Sequence, residues 1–102
     1  LAARRLLADP REGVRMMGVK SLARQEGVEA EAALRQVLSD ARNPVDFRTV
    51  AAHEIARSGR VALLVRWCEE AAGQECDARL IESVQQIVLR TETVPGVAAA
   101  PR

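Results

Sequence analysis

Apolar residues recur along this chain at helical spacing, and two stretches do so in the same register. Val14-Arg-Met-Met-Gly-Val-Lys-Ser-Leu-Ala-Arg24 and Phe47-Arg-Thr-Val-Ala-Ala-His-Glu-Ile-Ala-Arg57 lie 33 residues apart and align without a gap. Val14, Met17, Val19, Leu22 and Ala23 stand over Phe47, Val50, Ala52, Ile55 and Ala56. Those positions fall on one face of a helix. Gly18 stands over Ala51, a small residue over a small residue, as close helix packing requires. Arg15 and Arg24 stand over Arg48 and Arg57.

The punctuation around the two stretches also repeats. Asp9-Pro10 leads the first and Asp40-Ala-Arg-Asn-Pro44 leads the second. Proline suits a first helical turn, where its missing N–H would have no partner. Asn43 or Asp40 is a candidate cap. Gly27 and Gly59 follow, suited to helix ends that need positive φ. A second helix is predicted after each glycine. Glu29–Ser39 turns Ala30, Ala33, Leu34, Val37 and Leu38 to one side, and Val61–Ala72 turns Val61, Leu64, Val65 and Cys68. A short helix over Leu1–Ala8 precedes the array. A last helix over roughly Asp77–Arg90 carries Leu80, Ile81, Val84, Ile87 and Val88 and reads as a degraded third unit closing the end. The expected fold is all-α: a short right-handed α-solenoid of about six helices in stacked hairpins. None of these helices can hide its apolar face alone, and stacking makes one continuous core. Residues 1–90 read as one domain. Residues 91–102, broken by Pro95, Gly96 and Pro101, read as a tail or linker. The start at Leu1 is read as a processed chain or a piece of a longer one.

Composition supports helices. Alanine supplies 18 of 102 residues, there is no tyrosine, and the aromatic residues are Phe47 and Trp67. The longest apolar run, Val61–Val65, is far below the ~18 residues of a membrane span. The formal net charge is +1, which argues against binding nucleic acid through bulk charge.

The string Leu7-Ala-Asp9-Pro10, Val14-Arg15, Gly18-Val19, Leu22-Ala23, echoed by Leu38-Ser-Asp40, Phe47-Arg48, Ala51-Ala52 and Ile55-Ala56, resembles a HEAT or HEAT-like repeat of the short bacterial type. The resemblance covers roughly residues 3–72, with a weaker echo to 90. The period is shorter than the ~40–47 residues of the standard forms. The resemblance implies a hydrogen-bonded ladder between stacked units, formed here by Asp9, Asp40, Arg15 and Arg48. It also implies a binding scaffold: an adaptor or assembly-regulating module that uses the second helices of its hairpins to hold a protein partner. The partner-binding residues expected on that surface are Glu31, Arg35, Leu63, Arg66 and Trp67. A homodimer through an exposed end of the array is a further expectation.

Candidate chemistry is sparse. His53 is the single histidine, takes the place of Lys20 in the repeat, and has no Cys or His at ligand spacing. No catalytic, metal or cofactor site is expected. Cys68 and Cys76 flank a turn, and two readings stand: a disulfide stapling two helices, or two reduced thiols with Cys68 in the core. A bridge would place the chain in the periplasm, as a stapled assembly factor. Without it a cytoplasmic location is the default. Trp67 also carries two readings. Aligned with Val37 it is core; paired with Leu63 at i, i+4 it is an exposed ridge beside Arg66. Fourteen arginines against one lysine fit carboxylate or phosphate recognition, or a coding bias toward Ala and Arg. The competing class is an accessory enzyme of the HEAT-like lyase type, which needs a reactive Cys, His or acid in a groove.

Overall fold

Six helices account for the regular structure of the described residues, 2–72 and 78–92, in a computed structural model. They are α1 (Ala2–Leu7), α2 (Glu12–Ala23), α3 (Val28–Ser39), α4 (Val45–Arg57), α5 (Val61–Ala71) and α6 (Ala78–Glu92). The last helix runs two residues into the stretch expected to be tail. Residues 93–102 lie outside the description.

The two glycines expected at helix ends both hold positive φ, 109° at Gly27 and 87° at Gly59. At Gly59 the reason is explicit. The Arg60 N–H donates to the Ile55 carbonyl (3.2 Å) and the Gly59 N–H to the Ala56 carbonyl (3.0 Å). That pair of bonds is a Schellman closure, and its residue of positive φ is usually glycine because a Cβ is disfavoured there. The expected caps take a different form. Neither Asn43 nor Asp40 caps α4, whose N-cap position is Pro44 with no side-chain cap bond. Asp9 and Asp40 instead accept the N–H of the residue two positions on, Arg11 at 2.8 Å and Arg42 at 2.9 Å, closing a local turn before α2 and before α4.

Each helix after the first packs on more than one neighbour. α2 packs on α3 and α4 on α5; across the pairs, α2 packs on α4 and α3 on α5. α6 packs on both α4 and α5. With α3 also against it, four helices press on α4, whose Ala51, Ala52 and Ile55 are wholly buried. Small side chains suit a helix enclosed on several sides. The rest of the core is aliphatic: Val19 and Leu22 from α2, Leu34 and Leu38 from α3, Leu64 from α5, Leu80 and Val84 from α6.

The expected α3 face is buried as drawn, all five residues of it. On α2 and α4 the expected faces hold at Val19, Leu22, Phe47, Ala52 and Ile55 and fail at one position each. Met17 is 60% exposed and Val50 44%, while Gly18 and Ala51 are buried in their place. One residue is ~100° of helix, so the small residue, rather than its larger neighbour, faces the crowded side. On α5 the buried face centres on Leu63, Leu64 and Trp67, with Val61, Val65 and Cys68 at its edge.

Gly18 sets how closely α1 can lie on α2. A Cβ there would stand 2.9 Å from the Ala3 carbonyl oxygen, 3.0 Å from the Leu6 Cβ and 3.1 Å from the Leu7 Cδ2. The backbone oxygen cannot move without moving α1. Gly18→Val is expected to push α1 off, at a cost of about 1–3 kcal/mol of overpacking. Hydrogen exchange measures this: α1 amides should lose protection while α4 to α6 keep theirs. Unchanged protection in α1 would contradict the close approach.

Candidate functional site

Two sets of side chains decide what the surface can do: those that join the helix pairs and those left facing outward. The joins position the rest.

The last carbonyls of a helix have no partner within it. In this chain arginines supply many of those partners. Arg48, 8% exposed, donates Nε to the Asn43 carbonyl (2.9 Å) and Nη1 to the Leu38 carbonyl near the end of α3 (3.4 Å). Asn43, also buried, donates to the Val37 carbonyl (3.4 Å) and accepts from Arg15 Nε (3.1 Å). Arg15 further holds the Asp9 and Pro10 carbonyls (3.0 and 2.9 Å). Its guanidinium carbon lies 5.3 Å from the centre of the Phe47 ring, a cation–π distance. Arg15 on α2 is thus fastened to the turn before α4.

The ladder residues are therefore joined differently from the arrangement that the resemblance implies. Arg15 does cross to the next unit, but to Asn43. Asp9 and Asp40 each hold the arginine two residues on in a two-pronged ion pair: Arg11 at 3.0 and 3.1 Å, Arg42 at 3.0 and 2.8 Å. Those arginines hold both carboxyls below the ordinary value of 3.8, with a smaller pull on each from Arg15 between them. Arg11 and Arg42 carried no marker in the sequence beyond the shared Asp-x-Arg spacing.

A second join ties the end of α2 to the turn after α4. Arg60, in the turn after α4, donates Nη1 to the Ala23 carbonyl at the end of α2 (2.8 Å) and Nη2 to the Gln25 carbonyl. Its Nε stands 3.8 Å from Glu31. Nothing in sequence order separates Arg60 from any other loop arginine.

Of the five residues expected to face a partner, the structure brings four to one place. Glu31, Arg35, Leu63 and Arg66 line a groove of about 350 Å³ between α3 and α5, together with Val28, Ala32 and Ala62. Val28 is 81% exposed. Arg35 bonds Glu70 across the two helices at 2.5 Å. Leu63 is largely buried and only touches the groove. Trp67 is not on the surface: it is 3% exposed, and its Nε1 donates to the Ser39 Oγ at 3.0 Å. The core reading of Trp67 holds, for the indole lies between α5 and the end of α3 with its N–H satisfied.

Cys68 is half-buried on α5, and burial, with Glu69 adding, pushes its thiol above the usual value. A raised thiol is a weaker nucleophile at neutral pH. Pairing with Cys76 lies outside the described residues. His53 is exposed on α4, as its match to Lys20 implied. Among the described residues no three metal-ligating side chains cluster, and no helix is long and apolar enough to cross a membrane. Comparison with known proteins finds no family model, no curated protein and no solved structure that matches this chain.

Both lowered aspartates make stability depend on pH in the same direction. A carboxyl whose folded pKa is depressed contributes stability above its unfolded pKa, near 3.8 here, and loses it as pH falls through the folded value. An Asp9→Asn, Asp40→Asn double variant should therefore lose less stability than wild type between neutral pH and the strongly acidic range. Parallel urea titrations measure it; identical acid slopes would refute the two ion pairs. Trp67→Ala should cost about 3–5 kcal/mol in the same assay, the range for a core tryptophan. A cost near zero would return Trp67 to the surface.

Proposed function

We propose that this chain is a non-enzymatic protein–protein interaction module, a short right-handed HEAT-like α-solenoid that holds a protein partner in the groove between α3 and α5. What carries the reading is the meeting in one groove of Glu31, Arg35, Leu63 and Arg66, which sit on the second helices of two successive sequence repeats. The packing of α2 on α4 and of α3 on α5 supports stacked hairpins.

The groove has the make-up of a contact surface. Its floor is small and apolar: Ala32, Ala62 and the edge of Leu63. Val28 adds an exposed apolar rim. Arg66 is exposed and adds a cation, while Arg35 is already tied to Glu70 and keeps the walls fixed. A fixed, part-apolar groove costs little ordering on binding. The fitting occupant is a partner segment with one or two apolar side chains and a carboxylate that reaches Arg66. Trp67 acts beneath the groove by holding α5 to the end of α3, not by touching the partner.

The test uses surface substitutions that leave the core intact. Immobilised wild type and a Val28→Glu, Arg66→Glu variant are exposed to the same source lysate, and the retained proteins are compared by quantitative mass spectrometry. At least one protein should be retained by wild type and depleted roughly tenfold on the variant, since charge placed in an apolar contact is costly. Equal recovery of every protein would overturn the groove. Sedimentation of both proteins checks the homodimer: if the groove seats a second copy, wild type should sediment as a dimer and the variant as a monomer.

A further inference from the structure

A groove between α5 and α6 lies apart from the partner site. Its volume is about 380 Å³, and Val65, Cys68 and Glu69 of α5 face Gln85, Val88 and Leu89 of α6 across it. Most of that lining is apolar and incompletely covered. Val65, Cys68 and Val88 are half-buried, and Leu89 is 53% exposed.

The repeat shows that the same face is closed one unit earlier. Gln85, Val88 and Leu89 stand 33 residues after Ala52, Ile55 and Ala56 of α4. Ala52 and Ile55 are wholly buried there, and Ala56 is half-buried. Four helices press on α4, whereas among the described residues α6 packs on α4 and α5. One register of the repeat is therefore covered on α4 and open on α6.

The sequence after α6 holds what covers it. In the first two units a glycine follows the first helix, and valine and alanine follow the glycine: Gly27-Val28-Glu29-Ala30 after α2, Gly59-Arg60-Val61-Ala62 after α4. After α6 stands Pro95-Gly96-Val97-Ala98-Ala99-Ala100. Gly96 comes four residues after Glu92, as Gly27 comes four after Ala23. Proline followed by glycine is the sequence of a type II turn, in which the glycine supplies positive φ. Residues 93–96 have the length that joins two antiparallel elements.

We infer that residues 97–102 turn back at Pro95-Gly96 and seat in the α5–α6 groove of the same chain, in the place that the second helix holds in the first two units. The lengths agree. The α6 side of the groove runs from Leu89 back to Gln85, three to seven residues before the end of the helix, which is roughly 5–10 Å of axis. Six residues reach ~9 Å as helix and ~20 Å extended. Pro101 has no N–H to donate and keeps the return short of a full helix. Val97 and the three alanines are small and apolar, as a seat between packed helices requires. The segment carries one charge, Arg102, and the groove carries one of opposite sign, Glu69. Tethering makes the docking intramolecular, so little buried apolar area suffices.

Cys68 lines the groove and serves as the reporter, with Cys76→Ser introduced throughout. In the full chain, Ala99→Cys is treated with diamide, which takes one hydrogen from each of two thiols as they join. The bridge to Cys68, read as the loss of two hydrogens from the intact mass, should form roughly tenfold faster than with Lys20→Cys, placed on α2 outside the groove. In a second variant, Val97→Asp, Ala99→Asp sets two charges in the apolar seat. Cys68 should then react with iodoacetamide roughly fivefold faster than in Cys76→Ser alone, because the thiol is uncovered. Circular dichroism and Trp67 emission confirm that the helices and the core are kept. Bridging no faster than with Lys20→Cys would overturn the seat, and so would an unchanged alkylation rate. A disulfide joining two chains, faster at higher protein concentration, would give the groove to a second copy and overturn the assigned occupant. None of these measurements touches the α3–α5 groove, which Val28→Glu, Arg66→Glu tests separately.

Discussion

The architecture depends on arginine donating to backbone carbonyls across a turn. A helix ends with carbonyls that nothing inside it can satisfy, and in a small array of helices many of those ends lie against a neighbour rather than in water. Arg48 and Asn43 answer the end of α3, Arg60 answers the end of α2, and Arg15 binds the turn that precedes α4. Each of these is a charge-assisted or buried bond, of the kind that contributes most when made and costs most when left open. They also fix geometry. With Arg15 at one side and Arg60 at the other, the α2–α3 pair is fastened to the α4–α5 pair at two separate points. The helices can then meet through small residues such as Ala51 and Ala52 without sliding.

Once the arginines are sorted by what they hold, the surface divides. Arg11 and Arg42 are spent on local turns, Arg15, Arg48 and Arg60 on joins, and Arg35 on a tie between α3 and α5. Arg66 remains beside the α3–α5 groove, and Arg24 and Arg57 stay exposed at the ends of α2 and α4. A coding bias toward arginine would not by itself produce this separation of roles.

Much of the helical pattern could be read from the sequence because it is local. Proline and glycine mark ends through backbone conformation, and Gly27 and Gly59 hold the positive φ their positions implied. The buried face of α3 was legible because α3 is enclosed largely on one side. On α2 and α4 the pattern held at Val19, Leu22, Phe47, Ala52 and Ile55 and failed at Met17 and Val50, where Gly18 and Ala51 take the packed side, because a small residue in a close helix contact carries little hydropathy signal. The aspartates were legible as important but not as to partner: a carboxylate ahead of a helix looks the same whether it caps, pairs with the arginine two residues on or joins a ladder. The α3–α5 groove was legible through the repeat, which placed Glu31, Arg35, Leu63 and Arg66 on matching helices. Arg60 was not, since its partners are carbonyls 35 or more residues away and carbonyls have no sequence signature. Trp67 left two readings open because either side of α5 could have faced the array.

That tryptophan has one more consequence. It is the sole indole in the chain, it sits in a dry seam, and its N–H is held by a hydroxyl from another helix. Its emission colour is therefore a built-in gauge of whether the two hairpins are seated on each other. A red shift without loss of far-ultraviolet helicity would mark the moment when α5 parts from the end of α3 while the helices themselves stay wound.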